Sequence, residues 1–159
     1  MSLRPVSDEM VPSFEKAPRL AFIVSQFNEE VTYGLLEGAQ NLLSENHLAK
    51  GDVYKAPGAF ELPLIAKALA ESGKYDGVVA FGCVIKGDTA HFEYISGEAA
   101  RGMMEVQLKT GIPASFGILT VYSQEEALIR SGNNEANKGR EAVLACLHAI
   151  QTLREIKAL

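Results

Sequence analysis

The sequence predicts one three-layer α/β/α domain built on a parallel sheet of about four strands. Apolar runs at residues 19–26, 77–85 and 112–121 and a shorter segment at 51–56 supply the strands, and the run at 77–85 is too continuous for a half-exposed edge. Segments with apolar residues at helical spacing separate these runs. Such strand–helix alternation requires right-handed crossovers, which cover both faces of the sheet with helices. The expected architecture is therefore flavodoxin-like.

Each element has its own signal. Residues 1–18 combine Pro5, Pro12 and Pro18 with scattered charge and no periodicity, so they read as an N-terminal arm, without partners of its own in the chain, ahead of a domain at 19–159. The first strand, RLAFIVSQ, ends at Phe27, and Asn28 is a suitable N-cap for the next helix. Val31, Leu35, Leu36, Ala39, Leu42 and Leu43 mark that helix's apolar face, which runs out near Asn46. After the second strand, Pro57-Gly58 turns the chain into a helix with Pro63 early in it and Gly73 as its stop. The third strand leads through a glycine-containing turn into a long helix from about Phe92 to Thr110, ended by Gly111. Ser123 with Glu126 forms a capping-box pattern opening a short helix through Arg130. The polar segment 131–136 then precedes a last helix from about Asn137, with Val143, Leu144, Leu147, Ile150 and Leu153 on one side.

Composition narrows the function classes. With 159 residues, 47% hydrophobic and 22% charged, the chain is an ordinary globular domain able to bury a core. A net charge of −5 argues against a general nucleic-acid or membrane surface. The two cysteines, Cys83 and Cys146, are too few for a metal set or a disulfide framework, which fits a reduced compartment. No apolar run reaches membrane-spanning length, and the N-terminus lacks the order of a signal peptide, so a cytoplasmic protein is expected.

In a parallel sheet, ligands bind beyond the carboxyl ends of the strands. Four stretches are expected there: Phe27-Asn28, residues 58–61, residues 83–91 and residues 116–120. The turn Lys86-Gly87-Asp88-Thr89 enters a helix N-terminus, where unpaired N–H groups and the helix dipole suit an anion. His91 follows within a turn and offers one acid/base group. Phe27 can stack on a flat ring or pack in the core. Glu61 can accept hydroxyl hydrogen bonds or merely complement a helix dipole. Arg130 can pair bidentately with a phosphate or sit solvated, and Lys138 is oddly placed for the dipole at a helix start.

Five motifs bring these residues into one frame: Phe27-Asn28, PGAFELP (57–63), GCVIKGDTAHFEY (82–94), FGILT (116–120) and NKGREA (137–142). Together the sequence resembles the 6,7-dimethyl-8-ribityllumazine synthase family of riboflavin biosynthesis over roughly residues 19–153. The resemblance implies condensation of 5-amino-6-(D-ribitylamino)uracil with 3,4-dihydroxy-2-butanone 4-phosphate, with no metal and no cofactor. It implies that Phe27 stacks on the pyrimidine and that Asn28 borders it. Ala59, Phe60 and Glu61 would line the ribityl and ring site, and Cys83, Val84 and Ile85 the pyrimidine edge. Gly87, Asp88 and Thr89 would cradle the phosphate with Arg130 as its cation. His91 would shuttle protons, and Lys138 would approach the pyrimidine or the phosphate. Phe116 and Arg130 would reach a pocket shared with a neighbouring subunit, since family sites lie between adjacent chains of a pentamer.

Lys86 stands where many members carry Arg, and Asn134 and Ala136 where many capsid-forming relatives carry Lys and Gly. The resemblance therefore implies pentamers, free or paired, more than a sixty-subunit shell. The related alternatives are an archaeal-type riboflavin synthase and a non-catalytic flavin- or lumazine-binding protein. The phosphate cradle argues against the first and His91 against the second.

Overall fold

Six consecutive buried residues, LAFIVS, form β1 (Leu20–Ser25), a strand that only a sheet covered on both faces can accommodate. The computed structural model describes residues 2–7 and 10–159; Met1, Asp8 and Glu9 of the expected arm lie outside them. After β1 come α1 (Glu29–Glu45), β2 (Asp52–Ala56), a single 3-10 turn (Ala59–Glu61) and α2 (Leu62–Glu71). β3 (Gly77–Ile85), α3 (His91–Thr110), β4 (Ala114–Val121), α4 (Gln124–Ser131) and α5 (Lys138–Lys157) complete the order. The four strands pair in parallel in the order β2-β1-β3-β4, so the expected α/β/α architecture is observed.

Alternate residues of each central strand feed two cores. Phe22 and Val24 of β1 join Val79 and Phe81 of β3 under α1 and α5. Ala21 and Ile23 join Val78 and Ala80 on the other face, under α2 and α3. Phe22 and Phe81 meet edge to face with centroids 5.4 Å apart. Burying a side chain of that size contributes about 1.5–3 kcal/mol, so this alternation stabilises the sheet far more than β-propensity does.

The helix signals largely hold. Ser123 Oγ accepts from the Glu126 N–H, and Glu126 Oε2 accepts from the Tyr122 N–H, a capping box shifted by one donor. Gly111, at φ 69°, closes α3 in the left-handed conformation that glycine tolerates without strain. Asn28 departs from expectation. It occupies the N-cap position of α1, but its backbone is left-handed (φ 56°) and its side chain does not cap the helix.

The arm also departs from expectation, because it has partners within its own chain. The Val6 N–H donates to Glu135 O, and His148 Nε2 contacts Met10 O at 2.8 Å. Arg154 donates to Lys16 O and lies over the Phe14 ring. These contacts run the described part of the arm along α5 and leave β2 at the edge of the sheet.

A polar network ties the amino edge of the sheet. Tyr75 Oη donates to Asp52 Oδ2 at 2.8 Å, and Arg19 pairs with the same carboxylate. Because the single Tyr75 proton is so engaged, Tyr54 is the donor in the 2.6 Å Tyr54–Tyr75 contact. This network lies at the opposite end of the strands from the site described next.

Candidate functional site

The carboxyl ends of β1, β2 and β3 open on a cleft of about 380 Å³, within the range of small-molecule sites. Phe27 follows β1 and leaves 72% of its surface exposed, which answers the question left by the sequence: the ring is not core. Across Gly58, a Cβ would stand 3.2 Å from Glu61 Oε2 and 3.7 Å from the Phe27 ring. Carboxylate and aromatic face therefore border one small gap. Ala59 and Phe60 line the same wall, with Ala59 buried and Phe60 exposed.

The floor is the end of β3: Cys83, Val84 and Ile85. The left-handed turn at Asn28 aims its carboxamide there, and Nδ2 donates to Cys83 O at 2.9 Å. Asparagine adopts this conformation more readily than most residues. Its work is thus to fix the β3 terminus against the start of α1. Cys83 is buried, and desolvation pushes its thiol up to about 11, so no thiolate nucleophile is present at neutral pH.

The turn 86–90 leaves β3 fully exposed and delivers His91 to the cleft as the first residue of α3. Gly87, Asp88 and Thr89 form the rim next to the N-terminus of that twenty-residue helix, the electropositive end of its dipole. Thr89 Oγ1 lies 3.5 Å from the His91 N–H. Lys86 pairs with Glu93 at 2.5 Å and lies over the Phe92 ring, which braces the turn from outside. Ile95, one helical turn after His91, also lines the cleft. Sequence reasoning did not single it out as a site residue; the i, i+4 spacing from His91 is the signal that it faces the site.

Three predicted residues stand apart from this cleft within the chain. Phe116 pairs with Ala80 in the first half of β4, not at the carboxyl edge, and is 40% exposed. Lys138 is 4% exposed and pairs with Glu141. Burying an ammonium group without a partner would be costly, so Glu141 explains a lysine at a helix start better than the dipole does. Phe116 and Lys138 line a second depression of about 270 Å³ between β4 and α5. Arg130, half-buried in the last turn of α4, donates from Nη1 to Glu126 O. It borders neither hollow.

The cleft can stack a flat ring on Phe27, accept hydroxyl protons at Glu61, hold an anion at the α3 turn and exchange a proton at His91. Among the described residues no group of histidine, cysteine and carboxylate side chains could hold a metal ion, and no helix is long and apolar enough to cross a membrane.

Comparison with known proteins gives these groups a chemical context. The family model for 6,7-dimethyl-8-ribityllumazine synthase matches residues 17–154. The chain is 56% identical over 142 residues to 6,7-dimethyl-8-ribityllumazine synthase 1 of Caulobacter vibrioides, covering 88% of this chain and 93% of that protein. The match takes in every motif bordering the cleft, and the chain belongs to the 6,7-dimethyl-8-ribityllumazine synthase family.

Proposed function

We propose that the cleft between Phe27 and His91 is where this chain carries out the reaction of its family, the penultimate step of riboflavin biosynthesis. There 5-amino-6-(D-ribitylamino)uracil condenses with 3,4-dihydroxy-2-butanone 4-phosphate to give 6,7-dimethyl-8-ribityllumazine and phosphate. The observation that carries the assignment is the exposed Phe27 ring beside the Glu61 carboxylate, with His91 lining the same cleft.

The pyrimidine stacks on Phe27, with its edge toward the backbone of Cys83, Val84 and Ile85. Its ribityl hydroxyls donate to Glu61 and run past Ala59 and Phe60. The butanone phosphate places its phosphate on the Gly87-Asp88-Thr89 turn. The substrate's own 5-amino nitrogen attacks the ketone, water leaves and an imine forms. Phosphate is then eliminated, and the ribitylamino nitrogen closes the second ring with loss of a second water. Each step needs protons moved between nitrogen, carbon and oxygen, which is the work of His91. No protein nucleophile is required, consistent with the protonated Cys83 thiol. Holding both reactants in reach supplies most of the acceleration.

Phe116, Arg130 and Lys138 complete the site from a neighbouring subunit, with Arg130 as the phosphate's cation. Their position outside the cleft of their own chain favours this arrangement. A pentamer is the assembly proposed. Leu64 on α2 and Leu108 on α3 are 73% and 76% exposed, and Tyr94 and Met104 on α3 are exposed as well. Buried interfaces are where such residues belong. We place the protein in the cytoplasm, free of nucleic acid and membrane.

The test is to mix the protein with both substrates and follow lumazine fluorescence together with phosphate release. Equal amounts of lumazine and phosphate are expected. Conversion of lumazine alone into riboflavin, without phosphate, would overturn the assignment.

A further inference from the structure

We infer that Asn137 is a positioning residue for Arg130, holding the last turn of α4 through its side-chain carboxamide. The inference rests on the reading of Arg130 as the phosphate's cation.

Asn137 is 1% exposed and joins three helices. Nδ2 faces three carbonyl oxygens, those of Gly34 on α1 at 3.0 Å, Ser131 at 3.0 Å and Gly132 at 2.9 Å. Oδ1 accepts the Gly139 N–H at 2.8 Å, which caps α5. Carbonyl oxygens only accept, so the orientation of the amide is determined: the group facing them must donate. The slot exists because α1 has no side chain there. A Cβ on Gly38 would stand 2.3 Å from Asn137 Oδ1, and one on Gly34 would stand 2.4 Å from Ser131 O.

Ser131 and Gly132 are the two residues immediately after Arg130. α4 has only eight residues, and its C-cap, Gly132, is extended (φ −67°, ψ 165°). The left-handed turn that usually satisfies terminal carbonyls is therefore missing. The Asn137 amide takes over that role at Ser131 O, shares Gly132 O with the Asn134 N–H, and at the same time anchors the turn to Gly34 of α1. A helix this short is marginal without external support, so releasing these carbonyls frees the turn that carries Arg130.

Asn137→Asp separates this role from helix capping. Asp keeps the volume and the acceptor for Gly139, and as an N-cap it is equivalent to Asn. It sets an acceptor against three acceptors and so loses the hold on α4. Asn137→Ser keeps the cap and removes the hold without introducing charge. In the full chain, both variants should raise KM for the butanone phosphate about tenfold or more, because small misplacements of a positioning group are costly. KM for the pyrimidine should stay close to that of the parent. The effect should also vanish in an Arg130→Ala background, since coupled residues are non-additive.

A raised KM in Arg130→Ala with no change in either Asn137 variant would overturn the inference alone, as would effects that multiply in full in the double variant. Failure of both Asn137 variants to fold would make the residue structural and likewise overturn it. An unchanged KM in Arg130→Ala would overturn the phosphate reading, and the inference with it.

Discussion

Phe27→Ala separates binding from folding better than any other single change in the cleft. The ring leaves 72% of its surface exposed, so its removal costs the fold little, within the ±0.5 kcal/mol usual for surface positions. Its proposed work is stacking, for which truncation of an aromatic platform under a base costs about 1–3 kcal/mol. At 1.4 kcal/mol per factor of ten, that is roughly a 5- to 150-fold loss of affinity for the pyrimidine. The phosphorylated substrate, proposed to sit on the Gly87-Asp88-Thr89 turn at the far rim of the cleft, should keep its KM. Titration with the pyrimidine alone, thermal unfolding and steady-state kinetics in both substrates read these quantities separately. A marked fall in melting temperature with unchanged pyrimidine affinity would refute the reasoning, because it would make Phe27 a packing residue despite its exposure.

Other perturbations bear on the remaining groups. His91→Ala should lower kcat by about 10²–10⁴-fold and leave measurable turnover, since co-localisation survives without the imidazole; a folded variant that binds both substrates and has no activity at all would give His91 an indispensable role. Cys83, with its thiol pushed up to about 11, should resist alkylation in the native protein at neutral pH, and Cys83→Ser should keep most activity. Rapid labelling with parallel inactivation would show a thiolate in the mechanism. At the amino edge of the sheet, the hydrogen bond from Tyr75, and then that from Arg19, hold the Asp52 carboxyl below its ordinary 3.8. A carboxyl depressed by folding stabilises the fold above its ordinary value and loses that contribution as pH falls through the folded one. The melting-temperature gap between the parent and Asp52→Asn should therefore narrow as pH drops below 3.8, and a constant gap would contradict the network.

The alternation of buried runs with helical periodicity carried the fold, and β3 begins and ends where its apolar run does. The same logic located Phe27, residues 59–61 and His91, because each follows a strand end and the carboxyl edge of a parallel sheet is a topological consequence. What remained hidden depends on contacts between distant residues. Nothing near Asn28 announces that its amide turns away from α1 to Cys83, 55 positions later. Phe116 falls in the first half of β4 because that strand continues five residues beyond it to Val121, a register set by pairing with β3. The arm looked unpartnered because its contacts, to His148 and Arg154, lie 138 residues away in sequence. Asn137 is similar: beside Lys138 it reads as a simple N-cap, and only the close approach of α1 reveals the second use of its amide.

The central claim is that the cleft of one chain and the Arg130 of a neighbour form a single site. Subunit mixing tests it most directly. Phe27→Ala and Arg130→Ala proteins, each impaired alone, would be dissociated, combined and reassembled, and the rate measured at substrate levels near the parent KM values. Hybrid assemblies contain sites with an intact cleft from one chain and an intact Arg130 from the next, so activity above either variant alone is predicted. Activity no greater than the average of the two would mean that both residues serve the same site from the same chain, and would contradict the account.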